Sequence, residues 1–520
     1  MNKVPPAPRG RGRRRASRAK GRDTGSAVVQ SPWRQPRLPY QPIEILDAEQ
    51  LERIHSSSLQ ILEQFGIEIL LHEAREIYRQ AGATIGNDGL RVHLDRDFVL
   101  ETIAKAPHEF TLHARNPAHN VRMGGNAIAF CMVASAPNVS DFAGGRRTGN
   151  QKDYRDLLRL SQALNVVHMQ GGYPVEPVDV HASVRHLECL RDCVTLTDKV
   201  FHAYSLGRER NHDALEIVRI ARDVSYEQLA DEPSLFTIIN TNSPLRLDVP
   251  MLHGIIEMAR HNQVVVLTPF TLAGAMAPVT LAGALAQQNA EALAGIVLTQ
   301  LVRPGAPVVY GGFTSNVDMK SGAPAFGTPE YVQAAQISGQ LARRYGLPFR
   351  SSSANAANTL DAQASYESVM SLWGALLGGA NMVMHAAGWM EGGLCASFEK
   401  TMLDADLLQM MSEYLRPPVV DDATLAMDAI AEVGPGGHYF GTAHTQARYK
   451  SAFYAPLISD WRNFETWVEA GRPTAVERTQ ALSRQLLDEY QPPPLDEGVR
   501  EALDEFVDKR IAEGGVATDF

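Results

Sequence analysis

The run of residues from Val264 to Phe313 constrains the fold of this chain more than any other. It reads as an apolar strand (Val264–Phe270), a loop of small residues, a long amphipathic helix and a second apolar strand (Pro307–Phe313). Two β-rich runs bridged by such a helix make one βαβ unit, because parallel strands need a crossover of about a dozen residues or more. Each strand ends in a loop, which is where α/β proteins place their chemistry. How many more units flank this one decides the architecture.

The alternation begins after Gly125. Strands are expected at 127–133, 166–170, 199–204, 235–240, 264–270, 307–313, 348–352 and 381–386. Helices are expected at 151–163, 184–196, 213–222, 249–261, 281–301, 330–345, 361–377 and 398–415. Eight strand–helix pairs over roughly 300 residues predict a (β/α)8 TIM barrel at 126–415. A doubly wound sheet is the alternative, but no GxGxxG opens the first helix as a dinucleotide site requires. Residues 39–125 read as an N-terminal α/β cap, with Asp47 capping a helix that runs to about Phe65 and a hairpin around Asn116–Pro117. Residues 416–520 read as a C-terminal extension: a loop around Gly434–His438, then helices near 463–470, 475–489 and 496–511.

Charge separates the two ends of the function space. The net charge of −10 hides a basic start: residues 1–37 hold eleven Lys/Arg and one acid, leaving 38 basic against 58 acidic residues in the body. An acidic body argues against nucleic acid as the main ligand. Residues 1–38 are too poor in apolar side chains to fold alone, and read as a disordered basic tail. Four scattered cysteines, no secretory segment and no uninterrupted apolar span predict a cytoplasmic protein.

A barrel gathers the residues at its strand ends into one cavity. Here they are Ser135 and Asn138; Gly171, Gly172 and Tyr173; Tyr204 and Ser205; Asn240, Thr241 and Asn242; Phe270 and Thr271; Phe313 and Thr314; Ser351 to Ser353; and His385, Trp389 and Glu391. The set is rich in aromatic and small polar groups and poor in charge, which suits a small uncharged or cationic ligand held by ring faces. Glu391, in the rim loop WMEGG, either complements a positive ligand or orients its loop. His385, late in an apolar strand, is either a hydrogen-bonded core residue or a base. His438 and His444 either close over the site or lie on the surface. His181, His186, Cys189 and Cys193 share a region but lack CxxC or HExxH spacing, so a packed helix is expected rather than a metal. Asp179 to Val184 approach the cobalamin pattern DxHxxG with valine in place of the glycine, so the chain is not expected to hold its own cobalamin.

Long motifs then point to a family. The run from Thr268 to Phe313, FGTPE (Phe326–Glu330), HAAGWMEGGL (His385–Leu394), EVGPGGHYFGTAHT (Glu432–Thr445), HARNP (His113–Pro117) and the basic RGRGRRRA start resemble the trimethylamine–corrinoid methyltransferase family over nearly the whole chain. The resemblance implies a TIM barrel that moves a methyl group from an amine to Co(I) of a separate corrinoid protein. The founding members use pyrrolysine, whose place is expected near Ser351–Asn355, where this chain has only Ser, Ala and Asn. The resemblance to members without pyrrolysine implies a quaternary amine such as glycine betaine as substrate. In that reading His385 and Glu391 are the catalytic candidates. Tyr173, Tyr204, Phe270, Phe313 and Trp389 form the cage, and Asn240, Asn242, Thr314 and Ser353 hold a substrate carboxylate. The expected partners are a corrinoid protein that carries the cobalamin, a small methylated amine, and further copies of the chain. Two other classes stay open: a barrel lyase or hydrolase, which needs an acid/base pair or metal, and a quaternary-amine binding protein that never alkylates cobalamin. The loop Leu272–Pro278, at the catalytic face, either leaves room for the corrin ring or packs tightly on its neighbour.

Overall fold

The structure, a computed structural model, describes residues 28–518. Eight parallel strands close into a barrel. In chain order they are β1 (Ala129–Met132), β2 (Met169–Gln170), β3 (Val200–His202), β4 (Leu235–Ile239), β5 (Val264–Leu267), β6 (Val308–Gly311), β7 (Phe349–Ser352) and β8 (Met382–Ala387). The helices that follow them are α1 (Gln151–Ala163), α2 (Ala182–Leu196), α3 (Arg208–Arg222), α4 (Val249–Arg260), α5 (Leu281–Val302), α6 (Pro329–Arg344), α7 (Ala362–Leu377) and α8 (Phe398–Tyr414). Every expected strand is present, and the strands are buried along almost their whole length, as in a parallel sheet covered on both faces.

The lower barrel is filled by Ala129, Cys131, Met169, Val200, Phe236, Val264, Val266, Val309 and Met382. The hairpin Phe110–Leu112/Val121–Met123 adds Leu112, Val121 and Met123 to the same cluster and closes that end. Chemistry is therefore confined to the carboxyl ends of the strands.

Helix α5 departs from the amphipathic expectation. It is buried from Ala284 to Gln300, because the cap lies on its outer face. Cap helices Ala48–Gln60, His72–Gln80 and Arg96–Ile103 all pack on it, and Tyr78 donates its hydroxyl to the Ala294 carbonyl at 2.8 Å. A helix apolar all round is one with protein on every side. The cap sheet also takes Arg246–Leu247, from the loop after β4, as a parallel edge beside Ile67–Ile69.

The basic tail expected over 1–38 needs correction in its last part. Residues 1–27 lie outside the described residues, but 28–38 are held. Gln30 donates to the Ala163 carbonyl, Arg34 pairs with Glu413 at 2.9 Å, and the Pro36 carbonyl accepts from Ile128 N. Trp33 packs on His119 and His168. This strap crosses α1, α8 and β1, and composition alone hides it because its anchors are single residues. The loop after β1 holds a hairpin (Asn138–Asp141, Gly145–Thr148) that pairs through Cys395–Ser397 with the strand after β8. The C-terminal helices Ala475–Asp488 and Glu497–Ala512 cover α8/α1 and α2/α3. No helix among the described residues is long and apolar enough to cross a membrane.

Candidate active site at the carboxyl ends of the strands

Strand β8 does not end regularly. Its pairing with β1 shifts register between Val383 and Ala387, and His385 takes a left-handed φ of +55°. Such a bulge re-aims one side chain at the cost of local strain. Here it sets the His385 ring 4.1 Å from Trp389 and 6.0 Å from Phe313. Phe313 in turn stacks on Phe326 at 5.2 Å and 11°, and lies 5.2 Å from Phe270. Trp389 is fixed by Nε1 donating to the Asn355 carbonyl at 3.2 Å, while Asn355 Nδ2 donates back to the Trp389 carbonyl at 2.8 Å. Beneath it the Gly388 amide donates to Asp404, which is paired with Lys400 inside α8.

A second aromatic group stands on β2 and β3. Tyr173 and Tyr204 are 4.5 Å apart, and the Tyr204 hydroxyl bonds Ser135 Oγ at 2.7 Å and accepts from Tyr173 N at 3.1 Å. His202 lies 4.5 Å from Tyr204. Its Nε2 accepts from the Ile238 amide at 3.1 Å, so in the neutral ring the proton sits on Nδ1, which is buried without a partner among the described residues.

The barrel therefore brings His385, Trp389, Phe313 and Phe270 into one group, and Tyr173 and Tyr204 into another. It does not bring in all the rest. Thr314 turns outward, donating to Gln288 Oε1 at 2.6 Å, with Thr271 Oγ1 at 2.9 Å. Asn242 is engaged with Asp248 at the start of α4, and Asn240 is exposed on the rim. Ser353 is buried, its amide donating to the Met384 carbonyl. Glu391 is tied to the guanidinium of Arg146, from the hairpin after β1, at 2.9 and 3.1 Å. His181 caps α2, and His186 bonds Asp213 at 2.8 Å, so neither is free; no metal-binding group of His, Cys, Asp and Glu occurs among the described residues. His438 and His444 lie on the C-terminal extension, which is largely exposed there.

Several inward residues escaped the reading of the sequence. Arg350 on β7 is 1% exposed, with Cζ 5.0 Å from the Phe313 ring. Thr268, Ser352 and Asn355 also carry buried polar atoms without partners among the described residues. Ser352 and Asn355 fall within the stretch singled out from the sequence at the end of the seventh strand, whereas Arg350 and Thr268 were not singled out. Three glycines keep the interior open: a Cβ on Gly311 would fall 2.2 Å from Thr268 Oγ1, on Gly171 3.1 Å from Met384 Cε, and on Gly172 2.5 Å from the Tyr204 hydroxyl and 3.0 Å from His202 Nδ1.

Burial sets the electrostatics. His202 is pushed down to about 3 by desolvation, and His385 well below its ordinary value by desolvation and then the charge of Arg350. Both rings are neutral at pH 7. Desolvation also lowers Arg350, to about 10, and leaves it charged. Around the mouth, Phe142, Val178, Leu206, Val279, Met319 and Leu394 are exposed, one in each of the loops after β1, β2, β3, β5, β6 and β8. In the loop Leu272–Pro278, Leu272 and Ala273 are buried through pairing with Ser315–Asn316, whereas Gly274 and Ala275 are exposed. Packing describes its first half and open space its tip.

The chain is similar to known proteins over most of its length. The family described as trimethylamine methyltransferase (MTTB) matches residues 10–515. A glycine betaine methyltransferase of Desulfitobacterium hafniense is 38% identical over 475 residues, covering 91% of this chain and 98% of its own. A trimethylamine methyltransferase of the same species is 30% identical, covering 90% and 94%. One from Methanosarcina mazei is 28% identical, covering 90% and 95%.

Proposed function

The chain belongs to the trimethylamine methyltransferase family and is a methyltransferase, and from that premise we propose that it moves a methyl group from a quaternary amine of the glycine betaine type to the Co(I) corrinoid of a separate protein. The observation that carries this reading is the composition of the barrel's carboxyl end: aromatic rings and two neutral imidazoles stand there, with no acid/base pair among them. A quaternary ammonium needs none. When its N–CH3 bond breaks, the electron pair stays on nitrogen and the leaving group is a neutral tertiary amine. A tertiary amine would leave as an amide anion unless first made cationic. The corrinoid, when its carrier docks, supplies the electron pair that takes the methyl group.

The residues of this chain bind, orient and dry the donor. Trp389, Phe270 and Tyr204 offer ring faces to the methyl groups, an attraction that grows when water is excluded. His385, neutral and with its buried Nδ1 unpartnered among the described residues, adds a ring face and no positive charge. Glu391 acts through Arg146, locking the loop after β8 to the hairpin after β1. The apolar residues on the rim fit a protein partner that covers the mouth. The four cysteines are free and buried, which fits a reducing cytoplasm. The test mixes the protein with Co(I) cobalamin or a corrinoid protein and a panel of methylated amines, following methylcobalamin by absorbance. Turnover with glycine betaine or a close quaternary amine is expected. Absence of turnover with every quaternary amine overturns the reading.

A further inference from the structure

Arg350 is among the largest fully buried side chains of the molecule. Its Nη1 donates to the Gly312 carbonyl at a long 3.3 Å, its Nε has no partner, and no carboxylate pairs with it among the described residues. A charge buried without a counter-ion is strongly unfavourable and survives only where something else compensates it. The Phe313 ring, 5.0 Å from Cζ, offers one weak compensation.

Other unpartnered donors line the same barrel. Arg350 pairs in register with Gly311 on β6, and Leu267 of β5 with Tyr310 of β6. The next residue of β5 is therefore Thr268, whose hydroxyl is orphaned beside the bare Gly311 backbone. Ser352 Oγ on β7 and His202 Nδ1–H on β3 are likewise buried without partners. Buried polar groups are nearly always satisfied, so a cluster of them facing a barrel interior marks a ligand. A guanidinium, an imidazole N–H and two hydroxyls with no acid among them is a donor set for an anion. One cation in apolar surroundings (Met384, Phe313) matches a single negative charge and not a phosphate dianion.

We propose that Arg350, with His202 and the Thr268 and Ser352 hydroxyls, forms a buried carboxylate subsite, and that the substrate is therefore a zwitterion: a quaternary ammonium that carries its own carboxylate. This rests on the function proposed above and sharpens it. The carboxylate is anchored deep on β7, and the ammonium is left against the aromatic rings nearer the mouth. A quaternary amine without a carboxylate meets an uncompensated Arg350 instead, so the residue selects as well as positions.

Calorimetric titration of the whole chain with glycine betaine, choline and acetate tests this, using the wild type, R350M and R350K. Methionine is chosen because an apolar side chain of similar length replaces a buried charge without leaving it half-paired; circular dichroism and melting report that the variants are folded. The wild type is expected to bind glycine betaine at least about 30-fold more tightly than choline. R350M should lose that preference, with betaine weakened by about 30-fold or more and choline unchanged or tighter, while R350K restores part of it. Folded R350M that keeps the wild-type ratio of betaine to choline affinity overturns the carboxylate subsite and leaves the methyl-transfer function standing. Wild-type binding of acetate through Arg350 without binding of any quaternary amine overturns the function and the zwitterion. Binding of none of the three ligands overturns both.

Discussion

Lys400 is 1% and Asp404 3% exposed, yet both are charged groups on the inner side of α8, joined Nζ to Oδ1 at 2.5 Å. Asp404 also accepts the Gly388 amide at 2.9 Å, and Lys400 donates to Ser368 Oγ at 2.8 Å. The substitution K400M removes the charged partner and leaves the buried carboxylate only the neutral donors of Gly388 N–H and the Ser368 hydroxyl. Breaking a buried pair in this way costs about 3–5 kcal/mol. Converting this to temperature uses the entropy of unfolding, ~2.1 cal/mol/K per residue, or about 1.1 kcal/mol/K for a chain of this size. A loss of about 4 kcal/mol then lowers Tm by about 4 °C. The double substitution K400M/D404L removes both charges and should recover at least half of the loss, because the remaining site is apolar. Scanning calorimetry on the three proteins measures this. A K400M protein that melts within about 1 °C of the wild type refutes the reasoning, and so does a double variant less stable than K400M. The same loss should loosen Gly388 and with it Trp389, so kcat/KM is expected to fall in K400M even well below its Tm.

Three further outcomes follow from the geometry. Trp389→Ala should raise the KM for a quaternary amine by about tenfold or more, since a desolvated cation–π contact is worth ~2 kcal/mol, and Trp389→Phe should retain part of the affinity; unchanged kinetics would remove Trp389 from the cage. Glu391→Gln should act only through Arg146: a double-mutant cycle with Arg146→Ala on kcat/KM should show the second substitution adding little to the first, and additive losses would give Glu391 a direct role on the substrate. Stability should fall on acidification. His55 is held down to about 4 and His168 and His202 to about 3, in each case first by desolvation. Below about pH 6.5 the unfolded chain takes up protons on these rings that the folded chain refuses, so stability present at pH 7.5 is lost as pH drops toward 4, by up to about 1.4 kcal/mol per pH unit for each ring. Urea midpoints that do not change between pH 7.5 and 5 would contradict this.

The barrel was legible because its signal is redundant. Each strand is a short run between turn residues, six of the eight barrel helices have a capping side chain, and the eight repeats confirm one another. Asn150, Asp248, Thr328, Asp361 and Ser397 all cap barrel helices where the pattern starts. The site was legible only in part, because facing is a matter of single residues. Phe313 and Thr314 are neighbours, yet one joins the aromatic group and the other bonds outward to Gln288. Arg350 was passed over because a strand arginine faces in or out according to register, which a strand of only four residues, FRSS, does not reveal by periodicity. The bulge that re-aims His385 depends on pairing between the two ends of the barrel sequence, β8 and β1. Nothing local to residue 385 announces it. The hairpin after β1 has no local signal for the same reason: its partner strand lies some 250 residues away in the chain.

Helix α5 has a consequence for how this protein comes apart. Its inner face packs on β5 and β6 and its outer face on three helices that precede the barrel in the chain. Neither layer owns it. A fragment beginning at Gly125 would present a bare apolar cylinder side to water, and it should aggregate rather than behave as an autonomous barrel. Conversely, the segment before residue 110 has no complete interior without a helix that is translated nearly two hundred residues later. Nascent cap must therefore wait on the ribosome for α5 before it can settle. Amide hydrogens in the middle of α5 should be the slowest to exchange in the molecule, released only when both layers open together.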